Sequence, residues 1–471
     1  MTFLAYNHAF IGGDLHIIAR ITEYYRDPEY FPNIRKIAIP IIVQQFTFAG
    51  LNMVGVMMVG QKGETSVAAV GFAGQIAFLL QLVHFGIISG AAMFTAQFWG
   101  RGDIPNLRRV LGLCLMIAVS ASLVFFALSQ FLPAEILGIY TTDNEVIRLG
   151  ADYIRTYSWT FLFMAVTFSY AFVMRSTGDV KTPTTISVGA LSVSTFLSYS
   201  LIFGKFGLPE IGIQGAAVAA VISRGLECVV LLIVTYAKRS PAAASLRELT
   251  DFGASFIARV IKPMLPVILN ELFWALGITT YNVIYGRMGT ESFAAMSIVN
   301  TIEQMAFVVF IGISNATSVL VGNRIGAGKE DEAFIYAGRS LGLGIMGGIL
   351  MGLLLQLVKN PVLSLYNVSP EVIANASRVI NIITFFLWVR VNNMTIVVGV
   401  LRAGGDTRYS LFLDGFIIWL VGVPMAYLGA NVFHLPVYVV YLCAMSEEAA
   451  KWILGMRRYL SRRWIHNLTE Q

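Results

Sequence analysis

The sequence predicts an all-α membrane protein in which twelve transmembrane helices form two six-helix lobes related by an internal repeat. Three observations predict this fold class. Hydrophobic residues make up 56% of the chain and charged residues only 13%, which is more apolar than a soluble core requires. Twelve apolar segments are each long enough to cross a bilayer. A short polar string begins at Arg175 and returns at Arg402, 227 residues later.

The repeated string indicates an internal duplication. Residues 175–181 read RSTGDVK and residues 402–408 read RAGGDTR, and each copy joins two apolar segments. A fixed large offset is typical of homologous repeats. Other residues recur 226 positions apart, including Pro40 with Pro266, Gly86 with Gly312 and Gly100 with Gly326. We therefore predict an N-terminal lobe at 34–237 and a C-terminal lobe at 263–456, joined by a cytoplasmic linker at 238–262.

The two ends of the chain lie outside the lobes. Residues 1–33 lack a basic start followed by an apolar core, so we expect no cleaved signal peptide. We expect instead a cytoplasmic or interfacial arm, which is either an interfacial helix or a disordered segment. Residues 457–471 contain RRYLSRRW and predict a basic cytoplasmic tail. Such a tail binds lipid surfaces, and docking of a partner is the alternative.

The apolar segments are separated by short polar turns. Helices interrupted by Gly and Pro suit a bilayer, because each backbone group must be bonded within the protein. The predicted spans are 37–60, 67–96, 110–132, 151–174, 184–204, 213–237, 263–286, 292–321, 338–358, 373–400, 409–429 and 435–456.

The distribution of lysine and arginine predicts the orientation. With the N-terminus in the cytoplasm, the cytoplasmic segments and the span ends next to them hold 23 of the 33 Lys and Arg residues, and the external loops and their adjoining span ends hold 7. This bias predicts a multi-pass protein of the cell membrane with both termini cytoplasmic. Six spans per half give both halves the same orientation, so we expect an axis along the membrane normal with the substrate path between the lobes.

On these features the chain resembles the multidrug and toxic compound extrusion (MATE) family. The resemblance rests on the duplicated six-span layout, the paired glycine loops after spans 2 and 8, the paired RxxGD strings, and VLRAGGDTR followed by WLVGVP. It covers about residues 30–465 and implies a V-shaped bundle of two lobes. It also implies a secondary active antiporter that exports organic, often cationic and amphipathic compounds in exchange for sodium ions or protons. The lipid-linked oligosaccharide flippases share the broader fold and are the alternative.

The chain departs from the family in its first span. Many members have an Asp five residues before the Gly that closes span 1, whereas this chain has Gly55 there and Tyr281 at the repeat position. NorM-like members use a Glu in span 7 instead. The resemblance carries this role approximately to Glu271, which lies in span 7 about one turn earlier.

Carboxylates inside the spans are unequally divided between the halves. A charged group in a bilayer is costly, which makes it a functional candidate. The N-terminal half has only Glu227 well inside a span. The C-terminal half has Glu271, Glu303, Asp414, Glu447 and Glu448. We therefore predict that ion coupling resides in the C-terminal lobe.

Within that lobe we predict Glu271 as the principal ion-coupling carboxylate, with Glu303 and Arg390 as its setting. The helical rise places Glu271 roughly 25 Å and Glu303 roughly 20 Å below the outer turn. We expect Arg390, which also lies inside its span, to be their counter-charge. Desolvation favours the protonated acid and Arg390 favours the carboxylate, so proton and sodium coupling both stay open. The alternative is a structural salt bridge of Arg390 with one glutamate. The residues predicted to line the substrate and ion cavity are Asn270, Asn300, Asn392, Asn393 and Asp414. The four asparagines offer oxygens for a sodium shell or a hydrogen-bond relay.

Other charged residues in the spans are interpreted as structural. Arg224 with Glu227 and Glu447 with Lys451 have helical spacings that let each pair neutralise itself. His84 stands alone in span 2, where a hydrogen-bonded core histidine is expected.

The repeated strings are interpreted as hinges or turns. Gly178 and Gly405 allow tight backbone geometry, while Asp179 and Asp406 are expected to cap helices. Asp414 lies about two turns inside span 11 and is expected to join Arg402 or Arg408.

An intramembrane enzyme is the less favoured interpretation. The five histidines are scattered, GGD lacks a partner Tyr-Asp span, and no Gly-Lys-Ser/Thr phosphate loop occurs. The three cysteines lie in apolar runs without metal or disulfide spacing.

We expect no cofactor and no metal other than the coupling ion. The expected partners are small-molecule substrates and membrane lipids, not nucleic acid, because the bases behind the net charge of +6 are spread over loops. We expect a monomer.

Overall fold

The computed structural model describes residues 27–366 and 368–470. Within these ranges the chain is helical, and its one extended pairing is an isolated bridge between Gly405 and Ile465. The arm predicted over residues 1–33 falls mostly outside the described residues, and α1 begins at Tyr30.

Each half contributes six long helices. In the first half these are α1 Tyr30–Gly60, α2 Glu64–Arg101, α3 Ile104–Phe131, α4 in two pieces (Asn144–Tyr157 and Trp159–Ser176), α5 Lys181–Phe203 and α6 Ile213–Ala237. In the second half they are α7 Ala254–Arg287, α8 Thr290–Gly326, α9 Glu330–Leu363, α10 Pro370–Leu401, α11 Thr407–Val432 and α12 in two pieces (Val437–Ala444 and Ser446–Leu460). Pro133–Gly138 adds a short helix before α4.

The predicted fold class is confirmed, although not every helix is equally apolar. Among the described residues, nine helices are long and apolar enough to cross a membrane, and the two pieces of α4, bent by 42°, make a tenth. The other two are α7 and α12. These helices carry the buried Glu271, Glu447, Glu448 and Lys451. Buried charges also lie on helices that are apolar enough to span, such as Glu227 on α6 and Glu303 on α8.

The linker is folded rather than free. Ser245 caps a short helix, Leu246–Thr250, and forms a capping box with Glu248. Arg108 of α3 pairs with Glu248 at 2.5 Å. The backbone N–H and hydroxyl of Ser245, together with Arg108, hold the pKa of Glu248 below its ordinary value. The helix α7 begins at Ala254, nine residues before the predicted span that starts at 263.

The lobes meet through reciprocal contacts of small residues. A Cβ on Gly100 of α2 would lie 1.9 Å from the carbonyl oxygen of Asn323, and a Cβ on Gly326 of α8 would lie 1.8 Å from that of Gln97. The repeat offset of 226 exchanges these two contacts. Reciprocal contacts of this kind are what a two-fold relation between the lobes produces. Only glycine allows the ends of α2 and α8 to approach so closely.

The described part of the C-terminal tail packs against this junction. Trp464 is fully buried, and a Cβ on Gly404 would lie 2.3 Å from its carbonyl oxygen. The backbone N–H of His466 donates to the carbonyl of Gly404 at 2.8 Å. On the other lobe, Gln97 donates to the carbonyl of His466 at 3.1 Å and accepts from the backbone N–H of Leu468 at 2.7 Å. Residues 464–468 therefore join the lobes, so the buried Trp464 is not available to the lipid surface that the sequence suggested.

Candidate functional site

Glu271 forms a buried ion pair that the sequence analysis did not predict. Its carboxylate lies 2.7 Å from the guanidinium of Arg402, whose side chain is 2% exposed. Arg402 follows α10 directly and also donates to the hydroxyl of Ser89 on α2, at 3.2 Å. The ion pair therefore belongs to the C-terminal lobe but also contacts the N-terminal lobe.

Asn270 connects this pair to a second cluster. Its amide nitrogen donates to Asp414 of α11 at 3.0 Å. Lys451 of α12 lies 3.2 Å from Asp414 and 3.6 Å from Glu447. The prediction that Asp414 joins Arg402 or Arg408 is thus corrected, because its cation is Lys451. The predicted pair of Glu447 with Lys451 is confirmed, but Lys451 serves two carboxylates rather than one.

Arg390 forms a third, separate cluster. Its guanidinium contacts Glu303 of α8 and lies 3.4 Å from Glu448 of α12. Asn393 donates to the Glu448 carboxylate at 2.7 Å, and Tyr441 lies 3.3 Å from Arg390. The expectation that Arg390 is the counter-charge of Glu271 is therefore wrong. Arg402 takes that place because its side chain is buried in the bundle, although it follows α10 in the polar string.

Several amide oxygens around these clusters have no hydrogen-bond partner in the described chain. They belong to Asn270, Asn392 and Asn393, and all three side chains are buried. Asn300, also predicted for the site, is half-buried one helical turn before Glu303. Buried acceptors normally find a donor or a cation. Carboxylate and amide oxygens are ligands that hard cations prefer. Asn270 adjoins Glu271 in sequence and contacts Asp414, so these three side chains suit a bound cation, whereas an added proton would go to a carboxylate.

The backbone of the same region departs from regular α-helix. The end of α10 is π-helical over Thr395–Leu401, and α11 has π-helical segments at Leu411–Phe416, Ile418–Gly422 and Leu428–Val432. Such segments are frequent at functional sites. Asp414 lies in one of them. A Cβ on Gly422 would lie 1.9 Å from the Tyr281 hydroxyl, so glycine is needed where α11 meets α7.

The repeated strings form turns, as predicted. Gly178 and Gly405 have φ values of 89° and 78°, in the left-handed region that favours glycine. Asp179 accepts from the backbone N–H of Thr182 at 3.2 Å, as expected of a cap. The cap predicted from Asp406 is wrong. Its carboxylate makes no cap hydrogen bond and instead pairs with Arg458 at 2.6 Å, because α12 passes beside this turn.

The charges of the N-terminal lobe match their structural interpretation. Arg224 and Glu227 pair at 2.6 Å, and Glu227 also accepts from Ser187. His84 is buried, with its Nε2 2.9 Å from the hydroxyl of Ser122.

The sequence analysis missed Arg402 and Lys451 as site residues. The sequence predicts Arg402 in a turn with Asp414 as a partner, not Glu271, although an arginine in both copies of the string was the available signal. Lys451 was assigned to a self-contained helical pair. Its second partner, Asp414, lies 37 residues away and is brought to it by the packing of α11 on α12.

The comparisons with known proteins agree with this architecture. The MatE family model matches residues 40–200 and 266–428, two segments whose starts are separated by the repeat offset of 226. Two relatives are similar along most of their length. The probable multidrug resistance protein YoeA of Bacillus subtilis is 26% identical, covering 92% of this chain and 94% of the relative. The probable multidrug resistance protein NorM of Thermotoga maritima is 23% identical, covering 93% and 95%.

Solved structures show the same fold. The crystal structure of the Vibrio cholerae MATE transporter VcmN in the bent form has a TM-score of 0.82 at 18% identity, covering 92% of this chain and 98% of that chain. A transporter of the MOP superfamily from Pyrococcus furiosus has a TM-score of 0.78 at 18% identity, covering 92% and 96%. Members of the matched family are transporters rather than enzymes. Since the family model covers more than half of the sequence, in both halves of the repeat, this chain belongs to the MatE family of multidrug efflux transporters.

Proposed function

We propose that this protein is a secondary active antiporter that exports organic cations in exchange for sodium ions or protons, and that Glu271 is its coupling carboxylate. The observation that carries the proposal is the buried pair of Glu271 with Arg402, which also bonds Ser89 of the other lobe. An ion bound at this position acts on a contact between the lobes. Relatives named as multidrug resistance proteins support drug export as the transport activity.

The proposed coupling step is a competition for the Glu271 carboxylate. A proton or a sodium ion bound there neutralises the charge that holds Arg402, so the guanidinium is left without its counter-ion. The hydrogen bond of Arg402 to Ser89 then has a different strength in the ion-bound and ion-free states. Exchange requires that the ion favours one arrangement of the lobes and the substrate the other. The pair provides such a difference because it contacts both lobes.

The neighbouring cluster supplies a second set of oxygens. Asn270 contacts Asp414 with its amide nitrogen, while its amide oxygen has no partner in the described chain. Asn270 adjoins Glu271 in sequence, so a sodium ion at Glu271 could take this oxygen as a ligand. A proton would use the carboxylate alone. Glu303 with Arg390 is proposed as a structural support, because Arg390 is occupied by Glu303 and Glu448.

The orientation proposed from the lysine and arginine bias puts both termini in the cytoplasm of a cell-membrane protein. The contacts between Gly100 and Asn323, between Gly326 and Gln97, and with the tail lie at the ends of α2 and α8 that face this side. The arrangement seen here is thus proposed to be the one closed to the cytoplasm, in a protein that acts as a monomer.

A flux assay in sealed proteoliposomes tests the proposal. The purified protein is reconstituted, a fluorescent organic cation is the substrate, and sodium and pH gradients are imposed separately. We expect one of the two gradients to drive transport in the wild type, and Glu271→Gln to abolish it. Glu227→Gln, which changes a carboxylate of the other lobe, is the matched control and should keep gradient-driven transport. Loss of coupling in the control together with wild-type coupling in Glu271→Gln would move the site to the N-terminal lobe.

A further inference from the structure

The N-terminal lobe contains the repeat counterpart of Arg402 without the carboxylate. Arg175 opens the first string as Arg402 opens the second, 227 residues later. Where Arg402 contacts Glu271, the Nη2 of Arg175 donates to the neutral amide oxygen of Gln44 at 2.7 Å. Gln44 and Gln45 stand 226 positions before Asn270 and Glu271. Both halves of the duplicated scaffold carry the arginine, but only the C-terminal half carries the acid at this position.

No described carboxylate lies within ion-pair distance of Arg175. Glu227, the buried carboxylate of this lobe, is already paired with Arg224 at 2.6 Å. The Nε of Arg175 is shut off from solvent and has no hydrogen-bond partner among the described residues. The face of its guanidinium lies 5.3 Å from the ring centre of Phe172. Arg175 is half-buried, and an arginine partly removed from solvent without its own anion is costly. Arg175 and Arg224 together face one buried carboxylate, Glu227, so the lobe has an excess of positive charge at this point.

A small cavity adjoins the Arg175 side chain. Its volume is about 30 Å³, and Ile41 of α1, Ala96 of α2, and Asn315 and Ser318 of α8 complete its wall together with Arg175. A space of this size holds a water molecule or a single small ion. The wall comes from both lobes, and its polar groups include an arginine, a serine and an asparagine.

We infer that this cavity is a binding site for a small monovalent anion of the size of chloride, held by Arg175 between the two lobes. The C-terminal lobe shows the chemistry that satisfies this arginine, since an anionic oxygen stands 2.7 Å from the equivalent guanidinium of Arg402. A mobile anion supplies the same charge where the chain supplies Gln44. Because α1, α2, α4 and α8 all line the cavity, a bound anion favours the arrangement in which these helices are in contact.

Binding of radiolabelled chloride to the purified, full-length protein tests the inference. We expect one saturable site per chain that unlabelled bromide competes for and gluconate, which is too large, does not. Gln44→Glu places a fixed carboxylate oxygen beside Arg175 in the same shape. It should lower chloride affinity at least tenfold. Arg175→Gln should lower it to a similar extent. Gln61→Glu, the same charge change in an exposed turn after α1, is the matched control and should bind chloride as the wild type does.

Thermal unfolding gives a second measurement that does not depend on the label. At constant sodium and ionic strength, chloride should raise the unfolding midpoint of the wild type relative to gluconate, since a ligand that binds only the folded state stabilises it. The midpoint of Gln44→Glu should be the same in both salts. Chloride binding of equal affinity in wild type and Gln44→Glu would overturn the inference. So would the absence of saturable chloride binding to the wild type, which would leave the cavity to water.

Discussion

The two lobes place an arginine at equivalent positions but give it different partners. In the C-terminal lobe Arg402 pairs with Glu271, whereas in the N-terminal lobe Arg175 contacts the amide of Gln44. Asp414, which Asn270 links to this ion pair, has Ser187 as its counterpart 227 positions earlier. The difference teaches that duplication preserved the scaffold and the basic residue, while the acidic residues became specific to one lobe.

The backbone differs between the lobes in the same place. The end of α10 and three segments of α11 are π-helical, while the equivalent end of α4 and the whole of α5 are regular α-helix. The tail also covers only one copy of the turn. Gly404 and Gly405 lie against Trp464 and Leu468, whereas within the part of the chain that the structure describes no atom lies within 4 Å of where a Cβ on Gly178 would stand. The lobe with the acids therefore has the less regular helices and the more enclosed turn.

The largest expected effect comes from removing the arginine of each lobe in turn. Arg402→Met leaves Glu271 buried without its cation, and breaking a buried ion pair in this way costs about 3–5 kcal/mol. Arg175→Met leaves only a neutral amide and should lower stability less. The double variant Arg402→Met with Glu271→Gln should regain most of the loss. Thermal unfolding of the three variants in one detergent measures these differences. Equal losses of stability in Arg402→Met and Arg175→Met would contradict the proposed difference between the lobes.

Replacing the glycine of each turn with valine should give the next largest loss of stability. Both positions have positive φ, where a β-branched residue costs about 1–3 kcal/mol. Gly405→Val should be the more damaging, because a Cβ there would also lie 3.0 Å from Leu468. Gly178→Val has no such contact and serves as the matched variant. Folded yield on size-exclusion chromatography tests this, and wild-type yield and transport in both variants would disprove the role of the turns.

Replacing the polar residue on each side of the lobe junction with alanine should have a smaller effect on stability. Gln97 donates to the carbonyl of Ala403 at 2.9 Å and makes two hydrogen bonds to the tail. Its counterpart Asn323, with the amide nitrogen oriented towards these acceptors, donates to the carbonyls of Ala96 at 2.7 Å and Ser176 at 3.3 Å. Gln97→Ala leaves more buried groups unpaired, each at about 1–3 kcal/mol. It should release the tail more readily than Asn323→Ala.

Labelling of a Leu468→Cys reporter, in a chain whose three native cysteines are alanine, measures this release. The reporter should react faster in Gln97→Ala than in Asn323→Ala. Equal rates would mean that the tail is not held through Gln97.

The smallest expected effect is the pH response of the linker. The capping box and Arg108 lower the pKa of Glu248, so its contribution to stability is present above the unfolded value near 4.5 and is lost as the pH falls through the lowered folded value. Unfolding midpoints measured across this acidic range should decline less steeply in Glu248→Gln than in the wild type. Parallel declines would show that the capping box adds no pH-dependent stability.

Much of the fold could be predicted from the sequence, because the repeat and the apolar segments are local signals. The 226-residue offset predicted two similar halves, and the family model matches two segments whose starts differ by the same offset. The helix ends were harder to predict, since α2, α8 and α9 continue beyond the apolar segments by further helical turns of polar residues. Sequence spacing could not reveal that α4 is bent between Tyr157 and Trp159.

The candidate site was predicted only in part, because its partners come from distant helices. Depth along α7 and α8 placed Glu271 and Glu303 at similar levels, but side-chain direction decided that they belong to different clusters. Arg390 faces Glu303 and Glu448, while Arg402, placed in a turn by its string, faces Glu271. Which carboxylate each arginine faces depends on the rotation of the helices and on the π-helical segments, and neither follows from residue spacing.

Substrate exchange without a gradient tests most directly the central claim that the C-terminal acid couples transport to the ion. Glu271→Gln and wild-type protein are reconstituted side by side, and each is measured for gradient-driven accumulation and for exchange of labelled against unlabelled substrate at equal ion concentrations. The account predicts that Glu271→Gln loses accumulation at least tenfold and retains exchange, because the substrate path is intact and only the ion response is gone. Accumulation at the wild-type level in Glu271→Gln would contradict it.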